Sequence, residues 1–153
     1  MLAHLEDSGK LKAVITQNID GLHQMAGSHN VIELHGSVHR NYCTSCGHSY
    51  TLQEILDKAP LPRCSCGSII KPDVTLYEEA LKENIITQAI EAIAAADMLI
   101  IGGTSLSVYP AAGFIRYYSG SKLVLINKSS TPLDSEADLL ITDSLGEVMG
   151  SLI

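Results

Sequence analysis

The sequence contains no tryptophan, a single phenylalanine and no long apolar run, and only 18% of its residues are charged. The longest apolar runs, such as residues 98–101, are too short to cross a bilayer, so no membrane partner is expected. No basic segment followed by an apolar one opens the chain, so secretion is not indicated and a cytoplasmic protein is expected. Hydrophobic residues make up 46%, which is typical of a globular domain and argues against a low-complexity chain.

Positive charge is also scarce. Lysine and arginine together number 10, against 17 aspartate and glutamate residues, and the formal net charge is −7. A surface that binds nucleic acid requires clustered basic side chains, so no direct nucleic-acid partner is expected. The charge suits a basic partner, although solubility alone would account for it.

The four cysteines, Cys43, Cys46, Cys64 and Cys66, follow the spacing C-x2-C-x17-C-x-C. Zn²⁺ binds four ligands tetrahedrally and readily takes thiolates, and a glycine after each cysteine pair permits the sharp turn of a zinc knuckle. Because sulfur fills all four ligand positions, the predicted metal is structural, with one ion per chain. Free or disulfide-paired cysteines are the alternative, but they suit a chain without a secretion signal less well.

Apolar segments with strand and helix spacing alternate along the rest of the chain. This alternation indicates βαβ units, so the predicted fold class is α/β, with a parallel sheet and helices on its faces. Residues 43–72, rich in Cys, Ser, Gly and Pro, are predicted to be a small inserted module, and 1–42 with 73–153 the larger domain. The pattern predicts strands over 11–16, 31–34, 98–101, 122–126 and 139–141 and helices over 1–7, 52–58, 79–96 and 110–118.

Polar or glycine-rich sequence follows three of the predicted strands, at residues 16–18, 102–105 and 127. Ligands bind beyond the carboxyl ends of parallel strands, so these segments predict a binding edge. From the residues alone, the glycine loop either approaches a phosphate or makes an ordinary tight turn. His35, which precedes a glycine, either projects into a cleft or is a packed histidine. Asn18 and Asp20 are also common turn residues.

Six sequence blocks together carry a family resemblance. They are T-Q-N-I-D-G-L-H from residue 16, E-L-H-G from residue 33, the four cysteines, K-P-D-V from residue 71, G-T-S-L-S-V-Y-P-A from residue 103 and L-I-N from residue 125. In this order they resemble the sirtuins, the NAD-dependent protein lysine deacylases, over about residues 10–150. The resemblance implies a Rossmann-like parallel sheet with a zinc-ribbon insertion, and NAD and one structural zinc as cofactors.

The resemblance also implies roles for individual residues. His35 resembles the catalytic base, with Asn18 and Asp20 beside it, and the four cysteines resemble the zinc ligands. Val74 and the stretch of Ser107, Val108 and Tyr109 resemble two edges that clamp an acylated-lysine protein or peptide by strand addition. The residues implied to bind NAD are Gln17, Asn18, Ile19 and Asp20 at the nicotinamide ribose, Gly103, Thr104 and Ser105 at the ribose and phosphates, and Asn127, Lys128, Ser129 and Leu145 at the adenosine end.

The implied reaction converts acyl-lysine and NAD to lysine, nicotinamide and O-acyl-ADP-ribose. In the family, the acyl oxygen attacks the anomeric carbon as nicotinamide leaves, and a general base removes a proton from a ribose hydroxyl. An imidazole titrates near neutrality, which suits His35 for that step.

Two departures from the family pattern change the expectation for this chain. Where the family has Phe-Gly-Glu, this sequence has Tyr77-Glu78-Glu79, which we expect to alter the peptide clamp and the substrate preference.

The family's first βα unit, with its Gly-Ala-Gly loop, does not precede Met1. We therefore expect a carboxyl-terminal portion of a sirtuin that is inactive alone and whose exposed sheet edge favours self-association. The alternative function is a non-catalytic, zinc-stabilised binding or scaffold domain, and a nucleic-acid-binding zinc ribbon is opposed by the acidic charge.

Overall fold

A computed structural model describes residues 1–152, which form five α-helices and eight β-strands in three sheets. The helices are α1 Leu2–Asp7, α2 Leu22–Met25, α3 Leu52–Leu56, α4 Glu83–Ala94 and α5 Leu145–Gly150, with 3₁₀ helices at Ala111–Tyr117 and Asp134–Glu136. The strands are β1 Val14–Thr16, β2 Val31–Glu33, β3 Gly36–Cys43, β4 Ser49–Tyr50, β5 Ile70–Val74, β6 Leu99–Gly102, β7 Leu123–Ile126 and β8 Leu139–Ile141.

Strands β1 and β2 form a two-stranded parallel ladder in which Thr16 pairs with Glu33. Just beyond the paired residues, the amide of Leu34 donates to the carbonyl oxygen of Thr16 at 2.9 Å. Parallel strands in register end at the same edge, so the segments that follow them lie side by side. This edge therefore holds both the polar segment that begins at Gln17 and the segment that contains His35.

Strands β6, β7 and β8 form a second parallel sheet, with β7 in the middle. Three of the four residues of β7 are buried, whereas β6 and β8 are more exposed. Gly102, Ile126 and Ile141 share one row across the sheet. All three strands end at the same level, so the loops that follow them leave the sheet as neighbours.

Helix α4 packs its apolar stripe into a core that joins the two parallel sheets. Ala89 and Ile93 of α4 are buried, and the same core contains Ile32 of β2 and Phe114 of the 3₁₀ helix, with Leu99 of β6 packed against it. Full burial of a large apolar side chain contributes about 1.5–3 kcal/mol. Because side chains from both parallel sheets contribute to this one core, it fixes the position of the β1–β2 sheet relative to the β6–β7–β8 sheet.

The helix predicted over 79–96 is shorter in the structure. Residues 79–82 are irregular because the Glu79 carboxylate accepts hydrogen bonds from the amide of Leu76 at 2.9 Å and from Lys71 Nζ at 3.0 Å. These contacts hold the segment against β5, and α4 therefore begins at Glu83. The other predicted helices and strands occur with ends shifted by a few residues, and the predicted helix over 110–118 is a 3₁₀ helix.

The third sheet is antiparallel and leads into the cysteine-rich region. Its central strand β3 pairs with β5 on one side and β4 on the other. No strand was predicted here, because β3 carries too many polar residues to show a clear alternation of apolar and polar positions. Helix α3 follows β4 and begins at a capping box, in which Thr51 Oγ1 accepts from the amide of Glu54 while the Glu54 carboxylate accepts from the amide of Thr51.

The parallel sheets with helices between them confirm the predicted α/β class. The division into a 43–72 module and a domain of 1–42 with 73–153 stays a prediction. Within residues 1–152 the longest helix is α4, with 12 residues, and no helix there is both long and apolar enough to span a membrane.

Candidate active site and metal centre

The four cysteine sulfurs converge into one cluster. All four Sγ atoms lie within 4.8 Å of one another, with Cys43 3.5 Å from Cys66 and Cys46 3.6 Å from Cys64. Zn–S bonds of about 2.3 Å in a tetrahedron set the sulfurs about 3.8 Å apart, so the cluster has the size of a zinc site. The structure therefore brings together all four predicted ligands in an arrangement that can hold a structural zinc.

The protonation chemistry of these sulfurs also fits a divalent metal. The Tyr50 hydroxyl beside Cys64 lowers the pKa of that thiol to about 5, so it is a thiolate at neutral pH. The backbone N–H of His48 favours the thiolate of Cys46, but the neighbouring Cys43 and Cys64 sulfurs outweigh it and raise the pKa of Cys46 to about 11. A bound Zn²⁺ would remove this repulsion between sulfurs, and with four thiolates no ligand position remains for water.

The imidazole of His35 is oriented by a backbone carbonyl. Its Nδ1 lies 2.9 Å from the carbonyl oxygen of Gln17. A carbonyl oxygen only accepts hydrogen bonds, so in the neutral imidazole Nδ1 carries the proton and Nε2 has the free lone pair. The backbone carbonyl of His35 in turn accepts from the amide of Thr75 at 2.9 Å. The half-buried ring is thus held in the tautomer that can remove a proton at Nε2.

Gly36 lets β3 pass very close to β5. Its φ is +79°, in the left-handed region, and a Cβ at this position would overlap the carbonyl oxygen of Asp73. Gly36 pairs with Val74 in the antiparallel sheet. The predicted base His35 and the predicted peptide-binding residue Val74 are therefore held at neighbouring strand ends.

The polar segment 17–20 is shaped by local hydrogen bonds. The amide of Asn18 donates to Thr16 Oγ1 at 3.1 Å, and the Asp20 carboxylate accepts from the amide of Leu22 at 3.0 Å through Oδ1. The Asp20 contact is an Asx turn at the start of α2, so the ordinary turn role and a ligand-binding role are both open to this residue. The Asn18 side chain is exposed at the strand edge.

A cleft of about 400 Å³ opens beyond the carboxyl ends of β6, β7 and β8. Asn127 Nδ2 joins two of its loops by donating to the carbonyl oxygens of Thr104 at 3.0 Å and Ser129 at 2.9 Å. A Cβ at Gly102 would come within 2.6 Å of the Leu145 side chain, so glycine at this position permits α5 to pack against the end of β6 and line the cleft. It brings together all the predicted cofactor residues from the second half of the chain: Gly103, Thr104, Ser105, Asn127, Lys128, Ser129 and Leu145.

Besides Ile126 at the end of β7, three residues of this cleft were not predicted from the sequence: Asp143, Ser144 and Gly146. They follow β8, so the rule that ligands bind beyond the carboxyl ends of parallel strands applied to them as well. The signal was weak because β8 has only three residues and Ser144 also serves as the N-cap residue of α5.

The residues predicted to bind a peptide belong to two different parts of the fold. Val74 ends β5 in the antiparallel sheet, whereas Ser107, Val108 and Tyr109 follow β6 of the second parallel sheet. Val108 and Tyr109 are 47% and 76% exposed. The amide of Ser107 donates to Ser105 Oγ at 3.4 Å, which links this stretch to the cleft beyond β6.

Comparison with known proteins gives concordant matches. A family model described as the Sir2 family matches residues 1–110. A relative from Clostridium perfringens (strain 13 / Type A), named NAD-dependent protein deacetylase, is 64% identical over 154 residues, covering 99% of this chain and 63% of that protein. The chain spans 63% of the length of this relative and of a second one, from Clostridium acetobutylicum.

Solved structures show the same likeness in three dimensions. A structure of Sir2 with a p53 peptide and NAD⁺ superposes with a TM-score of 0.92 at 41% identity, covering 99% of this chain and 65% of that chain. A structure of Sir2 with an inhibitor, 2′-O-acetyl-ADP-ribose and a deacetylated p53 peptide gives a TM-score of 0.91 at 42% identity, over 99% and 67% of the two chains.

Proposed function

Since the chain belongs to the Sir2 family, we propose that it carries the catalytic base, the adenosine side of the cofactor site and the zinc module of an NAD-dependent protein deacetylase. A relative of 64% identity bears that name. Solved relatives were determined with NAD⁺, with a p53 peptide and with 2′-O-acetyl-ADP-ribose. The proposed reaction transfers an acyl group from a protein lysine to ADP-ribose and releases nicotinamide.

The observation that carries the proposal is the orientation of His35. The hydrogen bond from Nδ1 to the Gln17 carbonyl leaves Nε2 as the basic nitrogen, at the same strand edge as the polar segment 17–20. A general base placed in this way contributes about 10²–10⁴-fold to a rate. We assign to Nε2 the removal of a proton from a sugar hydroxyl of the cofactor.

The chain's own residues account for binding and orientation. NAD, when bound, supplies the ribose that receives the acyl group and the nicotinamide that leaves. In this proposal Gln17, Asn18, Ile19 and Asp20 hold the nicotinamide and its ribose. Oδ1 of Asp20 already accepts from Leu22, so its second oxygen is the one that we assign to the sugar.

The cleft beyond β6, β7 and β8 is assigned to the adenosine side of NAD. Gly103, in the left-handed region with φ of +64°, turns the backbone so that the N–H groups of the following residues can approach the phosphates and ribose. Asn127 fixes the two loops of the cleft, and Leu145 supplies an apolar surface for adenine. Lys128 and Ser129 also line the cleft and are assigned to the same end of the cofactor.

The acyl-lysine substrate is proposed to bind as an extended strand between Val74 and residues 107–109. Cys43, Cys46, Cys64 and Cys66 would hold a zinc ion, and because the four thiolates would fill its ligand positions, the metal would support the fold without entering the reaction. Four cysteines kept reduced for a metal favour a reducing compartment, and the cytoplasm is the location that we propose.

Nicotinamide release tests the proposal. The 153-residue chain is assayed with NAD and an acetyl-lysine peptide, both by itself and fused to the segment of the Clostridium perfringens relative that lies outside the match. We expect the fusion to release nicotinamide only when the acetylated peptide is present, and the unacetylated peptide is the control. If the folded, zinc-loaded fusion binds neither NAD nor the peptide, the chain is a zinc-stabilised domain without catalytic function and the proposal is wrong.

A further inference from the structure

Strand β3 carries a bulge close to the proposed base. Its pairing with β5 passes from Ser37 opposite Asp73 directly to Asn41 opposite Pro72, so residues 38–40 bulge out of the ladder. Bulges re-aim side chains, and they are common beside functional sites.

The first two residues of the bulge hold the segment proposed to bind the nicotinamide ribose. The amide of Val38 donates to the carbonyl oxygen of Ile19 at 3.0 Å, and His39 Nε2 donates to the carbonyl oxygen of Asp20 at 2.9 Å. A Cβ at Gly21 would lie 2.7 Å from the His39 ring, so glycine is needed for this close packing. The bulge therefore contacts the segment 17–20 directly, through the carbonyl oxygens of Ile19 and Asp20.

The third residue, Arg40, joins two carboxylates that belong to different sheets. Its guanidinium donates to Glu33 Oε2 at 2.6 Å and to Asp73 Oδ2 at 3.3 Å. The Glu33 and Asp73 side chains are only 6% and 15% exposed. Glu33 stands two residues before His35, and Asp73 stands directly before Val74.

Glu33 and Asp73 each accept a hydrogen bond from one further side chain, but neither of those two side chains contacts both carboxylates. Gln24 Nε2 donates to Glu33 Oε1 at 2.9 Å, and Lys82 Nζ donates to Asp73 Oδ1 at 2.6 Å. Without Arg40, Glu33 would remain attached to α2 and Asp73 to the segment before α4. Arg40 is therefore the side chain that links the end of β2 to the end of β5.

We propose that Arg40 is a positioning residue, which fixes the base His35 relative to the peptide-binding edge at Val74; this inference rests on the proposed function. The hydrogen bond from the Thr75 amide to the His35 carbonyl lies at the junction that Arg40 braces. A displacement of about 1 Å between reacting groups lowers a rate by about 10²-fold, so a brace at this junction acts on catalysis without touching the substrate.

The test separates positioning from stability by using two variants of the bridge. Arg40→Met alone leaves the buried Glu33 carboxylate without its cation, which is destabilising in itself. Arg40→Met combined with Glu33→Gln removes that charge while keeping an amide that can bond Gln24. Arg116→Met is the control, because it removes an arginine of the same size that stacks on Tyr117, away from the bridge.

Amide hydrogen exchange in the 153-residue chain gives the direct readout. In the double variant we expect the Thr75 amide to exchange at least about 10-fold faster, because the junction opens locally. The Asn127 amide, which donates to Ile141 at 3.0 Å in the distant parallel sheet, should keep its protection. Unchanged protection of Thr75 in the double variant would overturn the proposal.

Steady-state kinetics of the fusion protein give the second readout. We expect the double variant to raise KM for the acetylated peptide about 10-fold and to lower kcat, while KM for NAD stays unchanged. A purely structural role would lower only the apparent kcat, through loss of folded protein, and would overturn the proposal. If the unmodified fusion has no activity, the proposed deacetylase function fails, whereas the exchange experiment still decides whether Arg40 braces the junction.

Discussion

The Nδ1 atom of His35 donates a hydrogen bond to the carbonyl oxygen of Gln17 across the β1–β2 edge, at 2.9 Å. The two residues are neighbours because their strands are parallel and in register. The contact selects one tautomer of the ring and so determines which nitrogen is basic.

The first prediction concerns the base itself. His35→Ala should lower nicotinamide release by the fusion protein about 10²–10⁴-fold, because the acceptor for the sugar proton is lost. The cost in stability should be small, about 0.5–1.5 kcal/mol for one hydrogen bond. Single-turnover assays and thermal unfolding measure the two effects. His29→Ala, which changes an exposed histidine, is the control. Near-normal turnover in the His35 variant would show that His35 is not the base.

The second prediction concerns Gly36. Gly36→Ala should destabilise the chain because alanine would have to adopt a φ of +79° and would also overlap the Asp73 carbonyl. Gly9→Ala is a matched control, because Gly9 has a φ of +73° with open space around it. The control should cost about 1–2 kcal/mol from the left-handed backbone alone, and Gly36→Ala at least about 2 kcal/mol more from disrupted strand pairing. Urea unfolding of both variants checks this, and equal costs would contradict the steric argument.

The third prediction concerns the metal. Elemental analysis of the reduced protein should find one zinc per chain, and chelation should lower the free energy of unfolding, because metal binding contributes directly to folding. Cys64→Ser should abolish stoichiometric binding, whereas Ser65→Ala should not. Zinc affinity should also fall as the pH is lowered, since protons compete for the thiolates, including that of Cys64, whose pKa is about 5. A folded, reduced sample without metal would contradict this prediction.

The fourth prediction concerns Glu78, whose φ of +68° lies in the left-handed region that favours glycine. Glu78→Gly should relieve a left-handed cost of about 1–2 kcal/mol, offset by about 0.5–1 kcal/mol of glycine entropy. Glu78→Ala keeps the Cβ and therefore the strain, so it should change stability little. Thermal unfolding should rank Gly above Ala, and the reverse order would show that the turn is not strained at this residue.

The fifth prediction concerns acid stability. The Glu6 carboxylate accepts from the amides of Asn30 at 2.6 Å and His29 at 3.0 Å, and these bonds hold its pKa below the ordinary value. Because the folded pKa is depressed, the stabilisation is present above the unfolded pKa of about 4.3 and is lost as the pH falls through the folded pKa. Glu6→Gln should flatten the fall in stability below about pH 5, whereas Asp7→Asn on the same helix should not. Denaturant midpoints between about pH 3 and 7 provide the measurement.

The sequence alone was sufficient where the determining contacts are local or where a pattern repeats along the chain. The four cysteines are close in sequence, and their spacing predicted the cluster that the structure shows. Alternating apolar segments predicted the α/β class and the strands of the second parallel sheet, including β8 at residues 139–141. The strand-end rule also predicted that Gly103 and Asn127 would meet in one cleft.

Only the tertiary structure decided the contacts between residues far apart in the chain. The overlap that requires glycine at Gly36 comes from Asp73, and the bridge through Arg40 joins Glu33 to Asp73 across a strand that the apolar pattern did not reveal. A hydrophobic period reports which face of a segment is buried, but it does not report which distant backbone or carboxylate will lie against it. Those partners were selected when β3 paired with β5, because pairing brings into contact residues that have no periodic relationship in the sequence.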